Sequence, residues 1–250
     1  GTQSLSNNRH AGIWDTSKYR LDPGAEAGYT PLTVNDNYVY LDGLQTLTSG
    51  TSDYRYGITS SGAQGFQIRN CLVRFTSTGD YCVGIFFEVG AGTGRIENCI
   101  VWGVSGGKGC IGINTSASNY TSINVRNCTV FGCYVGYGSA YEDTTFTNCA
   151  AFNNTDDFNA PGCTISYCAS DDGDGTNAVD LGDSSESWNA QFADYDATNP
   201  DVSLISGSAL IGAGTDLSAY FTKDIAGTTR SSWDIGAFEY VASGGGGVSI

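Results

Sequence analysis

The chain contains an acidic run that could bind a cation. Asp171, Asp172 and Asp174 lie within the segment DDGDG. Ca²⁺ takes six or more oxygen ligands, and carboxylates are common donors to it. The run departs from a calcium-loop pattern because Thr176 stands where a further ligand is needed. The sequence therefore favours a solvated loop, with no cofactor expected and Ca²⁺ as the alternative.

Charged side chains also recur two positions before a repeated cysteine, a spacing that could align catalytic carboxylates. Glycoside hydrolysis needs a pair of carboxyl groups, one of them as the acid. An earlier copy of the repeat, VYLDGLQTL, has Leu44 in the place of the cysteine. The recurring positions alternate in sign instead, as Asp42, Arg69, Glu97 and Arg126. Opposite charges facing each other on neighbouring strands form ion pairs worth about 0.2–1 kcal/mol each. The column predicts an ion-pair ladder and not a catalytic dyad.

Aromatic side chains recur three positions after the same cysteines, at Trp102, Phe131 and Phe152. If this column faces outward, it forms a strip that can stack on sugar rings. If it faces inward, it forms an aromatic core stack. The sequence leaves both interpretations open, and the three residues are the candidate glycan-binding site.

The single histidine, His10, lies in a polar and irregular N-terminal stretch. A nucleophile activated by histidine would have to use it, yet no G-x-S-x-G motif accompanies it. We therefore expect His10 to be a surface residue, and we assign no catalytic residue.

The repeated cysteines mark an internal repeat of about 28 residues. The aligned segments are FQIRNCLVR, GRIENCIVW, INVRNCTVF, TFTNCAAF and TISYCASD. A repeat of this length cannot bury its apolar face alone, so consecutive copies must stack. The sequence therefore predicts an all-β fold: a single-stranded, right-handed parallel β-helix, or solenoid. An irregular N-terminal cap and a C-terminal capping segment are expected to close it.

Positions beside the cysteine are equally regular. Ile68, Ile96 and Val125 stand three residues before it and should stack as nearest neighbours in the interior. Glycines stand thirteen residues after the column and open a second strand, at Gly57, Gly84 and Gly112. A ladder of asparagines immediately before the cysteine is expected at a bend, formed by Asn70, Asn98, Asn127 and Asn148.

The cysteine column indicates how the thiols are used. Its members include Cys71, Cys99, Cys128 and Cys149. Equivalent side chains on stacked parallel strands lie about 4.8 Å apart, which exceeds the Cβ separation of a disulfide. We expect mostly free, buried thiols that pack as small hydrophobic groups.

Composition limits the partners and sets the boundaries of the parts. With 26 acidic and 11 basic residues, the net charge is −15. Non-specific nucleic-acid binding relies on cations that neutralise phosphates, so no nucleic-acid partner is expected. No apolar run is long enough to span a membrane. We divide the chain into an N-terminal cap or attachment segment (1–34), coils (35–200), closing strands (201–240) and a Gly-rich tail (241–250).

The most specific motifs lie near the C-terminus: SALIGAG at 208–214, DIAGTTR at 224–230 and DIGAFEY at 234–240. They resemble the closing segment of pectate-lyase-like β-helix proteins found among bacterial surface and tailed-phage structural proteins. Ala209 stands where that pattern usually has proline. The resemblance implies a virion or extracellular, cell-surface location.

Arg230 in this closing segment has two nearby carboxylates in sequence, Asp224 and Asp234. A bidentate pair with either would tie a terminal loop across the open end of the solenoid. Such an end otherwise presents unpaired strand edges, which invite aggregation. We predict that these three residues form a structural cap.

Two classes of function fit these observations. The first is a non-enzymatic structural or adhesive protein on a virion or cell surface, such as a phage decoration protein, fibre or tail-spike-like module. Its partners would be other virion or surface proteins, host-surface polysaccharide, or further copies of itself. The second is a lyase or hydrolase of acidic polysaccharide. The first is favoured because no column supplies the required carboxylates, and about six coils give a flank of only about 30 Å.

Overall fold

The computed structural model describes residues 9–24, 30–89, 92–104, 107–117, 121–140, 142–196 and 198–242. The first eight residues of the expected N-terminal segment lie outside this part of the chain. Most of the expected Gly-rich tail also lies outside it.

The described chain winds repeatedly through three parallel sheets, which confirms the all-β parallel solenoid. Sheet A contains β1 (Arg20–Leu21), β4 (Gln45–Gly50), β7 (Leu72–Ser77), β10 (Ile100–Trp102), β13 (Thr129–Phe131), β16 (Ala150–Phe152), β19 (Ala169–Ser170) and β20 (Val179–Asp180). Sheet B contains β2 (Leu32–Val34), β5 (Tyr56–Ala63), β8 (Val83–Val89), β11 (Ile111–Ala117), β14 (Val135–Ser139) and β17 (Asp156–Asn159). Sheet C contains β3 (Tyr40–Asp42), β6 (Gln67–Arg69), β9 (Gly92–Glu97), β12 (Thr121–Arg126), β15 (Thr144–Thr147) and β18 (Thr164–Ser166).

After the last coil the chain forms a short helix, α1 (Ser185–Asn189), and an antiparallel pair, β21 (Phe192–Asp194) and β22 (Asp201–Leu204). Ser184 caps the helix, since its side chain accepts a hydrogen bond from the N–H of Ser187. Within the described residues, no helix has the length and apolar character needed to cross a bilayer.

The register of the sheets stacks equivalent residues directly over one another. Ile68 pairs with Ile96, and Ile96 pairs with Val125. All three side chains are fully buried. Burial of such a side chain contributes about 1.5–3 kcal/mol, so the interior column is a main source of stability.

The repeated glycines are required by space inside the solenoid. A Cβ on Gly84 would lie 2.3 Å from Cγ1 of Val101 and 2.4 Å from the carbonyl oxygen of Gly112. Gly57 and Gly112 face the same obstruction from their own neighbours. The second strand of each coil therefore passes close to an interior valine, and only glycine fits there.

The boundaries of the coils differ from those expected at 35 and 200. β1 and β2 already pair with the next coil, so the solenoid begins before residue 35. Its last paired strand is β20. Within 201–240 the described chain is mostly turns, and β22 is the strand found there. The closing segment is held by side-chain hydrogen bonds and turns. The alternation of apolar and polar residues, which predicts strands, does not reveal such contacts.

Candidate functional site

The four ladder asparagines lie at the turn from sheet C to sheet A. Their φ angles fall between 47° and 53°, in the left-handed region. Asparagine tolerates this conformation better than other residues that have a side chain, which explains its recurrence. The members of this ladder are Asn70, Asn98, Asn127 and Asn148.

Three of these asparagines bind the closing segment. Asn98 donates from Nδ2 to the carbonyl of Lys223 at 2.8 Å. Asn127 donates to the carbonyl of Asp234 at 2.8 Å. Asn148 donates to the carbonyl of Thr215 at 2.9 Å. The closing segment therefore lies along the flank of three successive coils.

Arg230 is the centre of this closing segment, and its side chain is fully buried. It donates to the carbonyls of Gly236 and Ala237, each at 3.0 Å. Its ion pair is with Glu239 at 3.6 Å, and not with Asp224 or Asp234 as expected. The expected position across an open end is also wrong, because Arg230 binds the flank through Asn98.

Asp224 and Asp234 shape the segment through its backbone. Asp224 accepts hydrogen bonds from the N–H groups of Thr228 and Glu239, at 2.7 and 3.0 Å. Asp234 accepts one from the N–H of Tyr240 at 2.6 Å. Buried backbone N–H groups need such acceptors, so both carboxylates have structural partners that sequence spacing did not reveal.

The alternating charge column forms paired contacts on sheet C. Glu97, which is 1% exposed, bonds to Arg69 and to Arg126, each at 3.1 Å. Asp42 lies 3.5 Å from Arg9, a residue outside the column. Arg69 stands between the carboxylates of Asp42 and Glu97 in the strand register, so the column forms ion pairs and not the pair of carboxyl groups that glycoside hydrolysis uses.

The aromatic column is a continuous stack. The ring centroids of Trp102 and Phe131 are 6.2 Å apart, and those of Phe131 and Phe152 are 5.1 Å apart. The column lies outside the coil interior that contains Val101, yet it is buried beneath other parts of the chain. Exposed fractions of its three members are 8%, 4% and 0%.

The cover over this column comes from both ends of the chain. Trp14 packs edge-on against Trp102 at 5.8 Å, and Phe192 stacks on Phe152 at 4.4 Å. The column thus points away from the coil interior, as the sugar-stacking interpretation required. It is nevertheless buried, as the core-stack interpretation required. No sequence pattern linked residues 14 and 192 to it, so the cover was not predictable.

A groove of about 320 Å³ remains open beside the column. Trp102, Phe131 and Tyr195 contribute apolar groups to its wall, while Arg74 and Asn153 add polar groups. Apolar surface combined with a few polar groups is typical of ligand sites. Of the three candidate glycan residues, Trp102 and Phe131 line this groove, and Phe152 does not.

The acidic run is partly buried: Asp171 and Asp174 are half-buried, and Asp172 is exposed. Asp171 accepts hydrogen bonds from Nε1 of Trp188 at 2.7 Å and from the N–H of Asn153 at 3.1 Å. Burial raises its pKa to about 7, and burial also raises the pKa of Asp174 to about 6. In the described part of the chain, no three acidic, histidine or cysteine side chains are placed to hold a metal ion together.

The nine cysteines are free thiols, and eight of them are buried. The N–H of Cys99 donates to Sγ of Cys128 at 3.4 Å, across neighbouring coils. Burial raises the pKa of the Cys133 thiol to about 12. Cys71 and Cys149 are fully buried in the same column as Cys99. Buried thiols of this kind act as small core residues.

His10 is 3% exposed, so its expected surface position is wrong. Its Nδ1 accepts a hydrogen bond from the N–H of Gly12 at 3.0 Å, and burial lowers its pKa to about 4. The residue is neutral and serves the packing of the N-terminal segment.

Searches against protein-family models, curated proteins and solved structures give no match to this chain.

Proposed function

We propose that this protein is a non-enzymatic structural and adhesive solenoid displayed on a virion or a cell surface. The observation that carries the proposal is the docking of the closing segment along three coils, through Asn98, Asn127 and Asn148. This docking joins distant parts of the chain into one hydrogen-bonded body. A rigid, protease-resistant spacer suits an extracellular role.

The closing motifs at 208–214, 224–230 and 234–240 suggest which kind of surface protein this is. Their similarity to pectate-lyase-like β-helix proteins of phages and bacterial surfaces supports a phage decoration protein, fibre or tail-spike-like module. Its partners would be other virion or surface proteins, and further copies of the chain in a homo-oligomer.

Adhesion would use the groove beside the aromatic column. Trp102 and Phe131, which line the groove, would offer apolar contact to a sugar, and Arg74 and Asn153 would offer hydrogen bonds to its hydroxyl groups. A host-surface polysaccharide is the ligand that we propose for this groove.

A polysaccharide lyase or hydrolase is the competing function. Asp171 is the carboxyl group that such an enzyme could use as an acid, because its pKa is raised to about 7. Both of its oxygens already accept structural hydrogen bonds, from Trp188 and Asn153. This use of the carboxylate favours the structural function.

Incubation with a panel of acidic and neutral polysaccharides tests the proposal. We expect no new reducing ends and no unsaturated products, together with retention of the protein by at least one polysaccharide. Arg74→Gln should weaken this retention, whereas Arg20→Gln, outside the groove, should not. Turnover that Asp171→Asn abolishes would overturn the proposal in favour of an enzyme.

A further inference from the structure

A second cleft, of about 350 Å³, lies between the start of sheet C and the closing segment. Arg9, Tyr40, Arg69, Asn70 and Lys223 contribute to its wall. It shares no lining residue with the groove beside the aromatic column. The two sites can therefore be tested separately.

The cleft carries a small excess of positive charge in an acidic protein. Three cationic side chains and two carboxylates, those of Asp42 and Asp224, line it, although the chain has a net charge of −15. Arg9 is near Asp42 at 3.5 Å, and Arg69 bonds to Glu97 at 3.1 Å. Lys223 is exposed and makes no ion pair within 4 Å among the described residues. Its ammonium group is available to an anion.

Asn70 differs from the rest of the asparagine ladder. Oδ1 of Asn98 accepts from Arg230 at 3.0 Å, and Oδ1 of Asn148 accepts from the N–H of Thr215 at 2.8 Å. Asn70 is only 7% exposed, and its Oδ1 is buried without a hydrogen-bond partner among the described residues. A buried acceptor without a donor is unfavourable, so a ligand with an O–H group would satisfy it.

Two tyrosine rings complete the cleft. Tyr40 and Tyr220 line it and are 49% and 47% exposed. Guanidinium groups hold both rings in place: Arg69 lies 5.9 Å from the Tyr40 centroid, and Arg126 lies 3.7 Å from that of Tyr220. Exposed, fixed rings offer apolar faces for the C–H groups of a sugar.

We propose that this cleft binds a small hydroxylated carboxylate of the sugar-acid class. The carboxylate pairs with Lys223, a hydroxyl group donates to Oδ1 of Asn70, and the sugar ring contacts Tyr40 or Tyr220. This site goes beyond the proposed function, which places glycan contact in the other groove.

Calorimetric titration of the full chain with sodium D-glucuronate tests the proposal, with D-glucose and sodium acetate as matched probes. We expect saturable binding of glucuronate, at least tenfold tighter than that of either probe. Lys223→Gln should weaken it at least fivefold, and Lys108→Gln, an exposed lysine elsewhere, should leave it unchanged. Equal affinity for all three probes, or equal effects of the two lysine variants, would overturn the site.

A second variant tests the unpartnered acceptor. Asn70→Gly removes Oδ1 while keeping a residue that adopts the positive φ of 53°. It should weaken glucuronate binding at least threefold, whereas Asn177→Gly, at an exposed turn with a similar φ of 54°, should not. Unchanged binding in Asn70→Gly would remove Asn70 from the site. Polysaccharide turnover would refute the proposed function without altering these titrations.

Discussion

The guanidinium of Arg230 donates a hydrogen bond of 3.0 Å to Oδ1 of Asn98, a residue 132 positions earlier in the chain. Asn98 is a turn residue of the solenoid, and Arg230 lies in the segment that closes it. The contact therefore joins the repeat to its cover. It also makes the stability of the flank depend on one buried cation.

Arg230→Ala should destabilise the protein strongly. The substitution leaves Glu239 buried without its cation and removes one of the two donors to each of the carbonyls of Gly236 and Ala237. Loss of one partner of a buried ion pair costs about 3–5 kcal/mol. Denaturant unfolding measures the change. The control is Arg20→Ala, which breaks an exposed pair with Asp22 and should cost about 1 kcal/mol or less. Similar losses in both variants would contradict the role of Arg230.

Asn127→Gly separates the hydrogen bonds of the ladder from its backbone conformation. Glycine accepts the φ of 47° without strain, so the variant keeps the turn and loses the side-chain bonds to Asp234, Gly236 and Asn148. We expect a cost of about 1–3 kcal/mol. Asn153→Gly has a similar φ of 54° at an exposed position, and it should change stability by about 0.5 kcal/mol or less. A neutral Asn127→Gly variant would show that the ladder is needed only for its turn.

Gly84→Ala should be among the most damaging single-methyl changes. The new Cβ would meet Val101 at 2.3 Å and the backbone oxygen of Gly112 at 2.4 Å. Overpacking against backbone costs about 3 kcal/mol or more. Gly138→Ala is the matched control, because its nearest contact is the side chain of Ile111 at 3.1 Å, and it should cost about 1 kcal/mol. Thermal unfolding of both proteins compares them, and a stable Gly84→Ala variant would refute the packing account.

The pH dependence of stability should report Asp171. Its pKa is raised by burial from 3.8 to about 7 in the folded protein. Between these values the folded state keeps a proton that the unfolded state releases, so this residue makes stability fall as the pH rises from 4 to 7. Asp171→Asn should remove that decline. Melting temperatures from pH 4 to 8 test this, and parallel curves for the two proteins would refute it.

His10 acts in the opposite direction. Burial lowers its pKa to about 4, so the unfolded state binds the extra proton between pH 6.5 and 4. Its contribution to stability is therefore lost as the pH falls through that range. The difference between wild type and Asp171→Asn isolates the carboxyl group, because His10 is common to both proteins.

The interior columns could be predicted because each residue meets its counterpart in the next repeat. Ile68 and Ile96 are 28 positions apart in sequence and are direct partners in sheet C. A parallel stack turns a spacing in the sequence into a contact. The glycine column at Gly84 follows the same logic, since its neighbour is the same position one coil later.

Contacts made once could not be predicted in this way. Phe192 covers Phe152, and Arg230 meets Asn98, but neither pair recurs along the chain. The partner of Arg230 was misjudged because Asp224 and Asp234 are close in sequence, whereas both carboxylates are occupied by backbone N–H groups. Closeness in sequence does not show whether a carboxylate will accept from a backbone N–H group or from an arginine side chain.

The stacking of coils is tested most directly by methyl NOE spectroscopy on protein with labelled isoleucine and valine. Strong NOEs are expected between Ile68 and Ile96 and between Ile96 and Val125, because these pairs are direct partners in the sheet. Absence of both NOEs in folded protein with assigned methyl signals would contradict the solenoid and the closing segment docked on it.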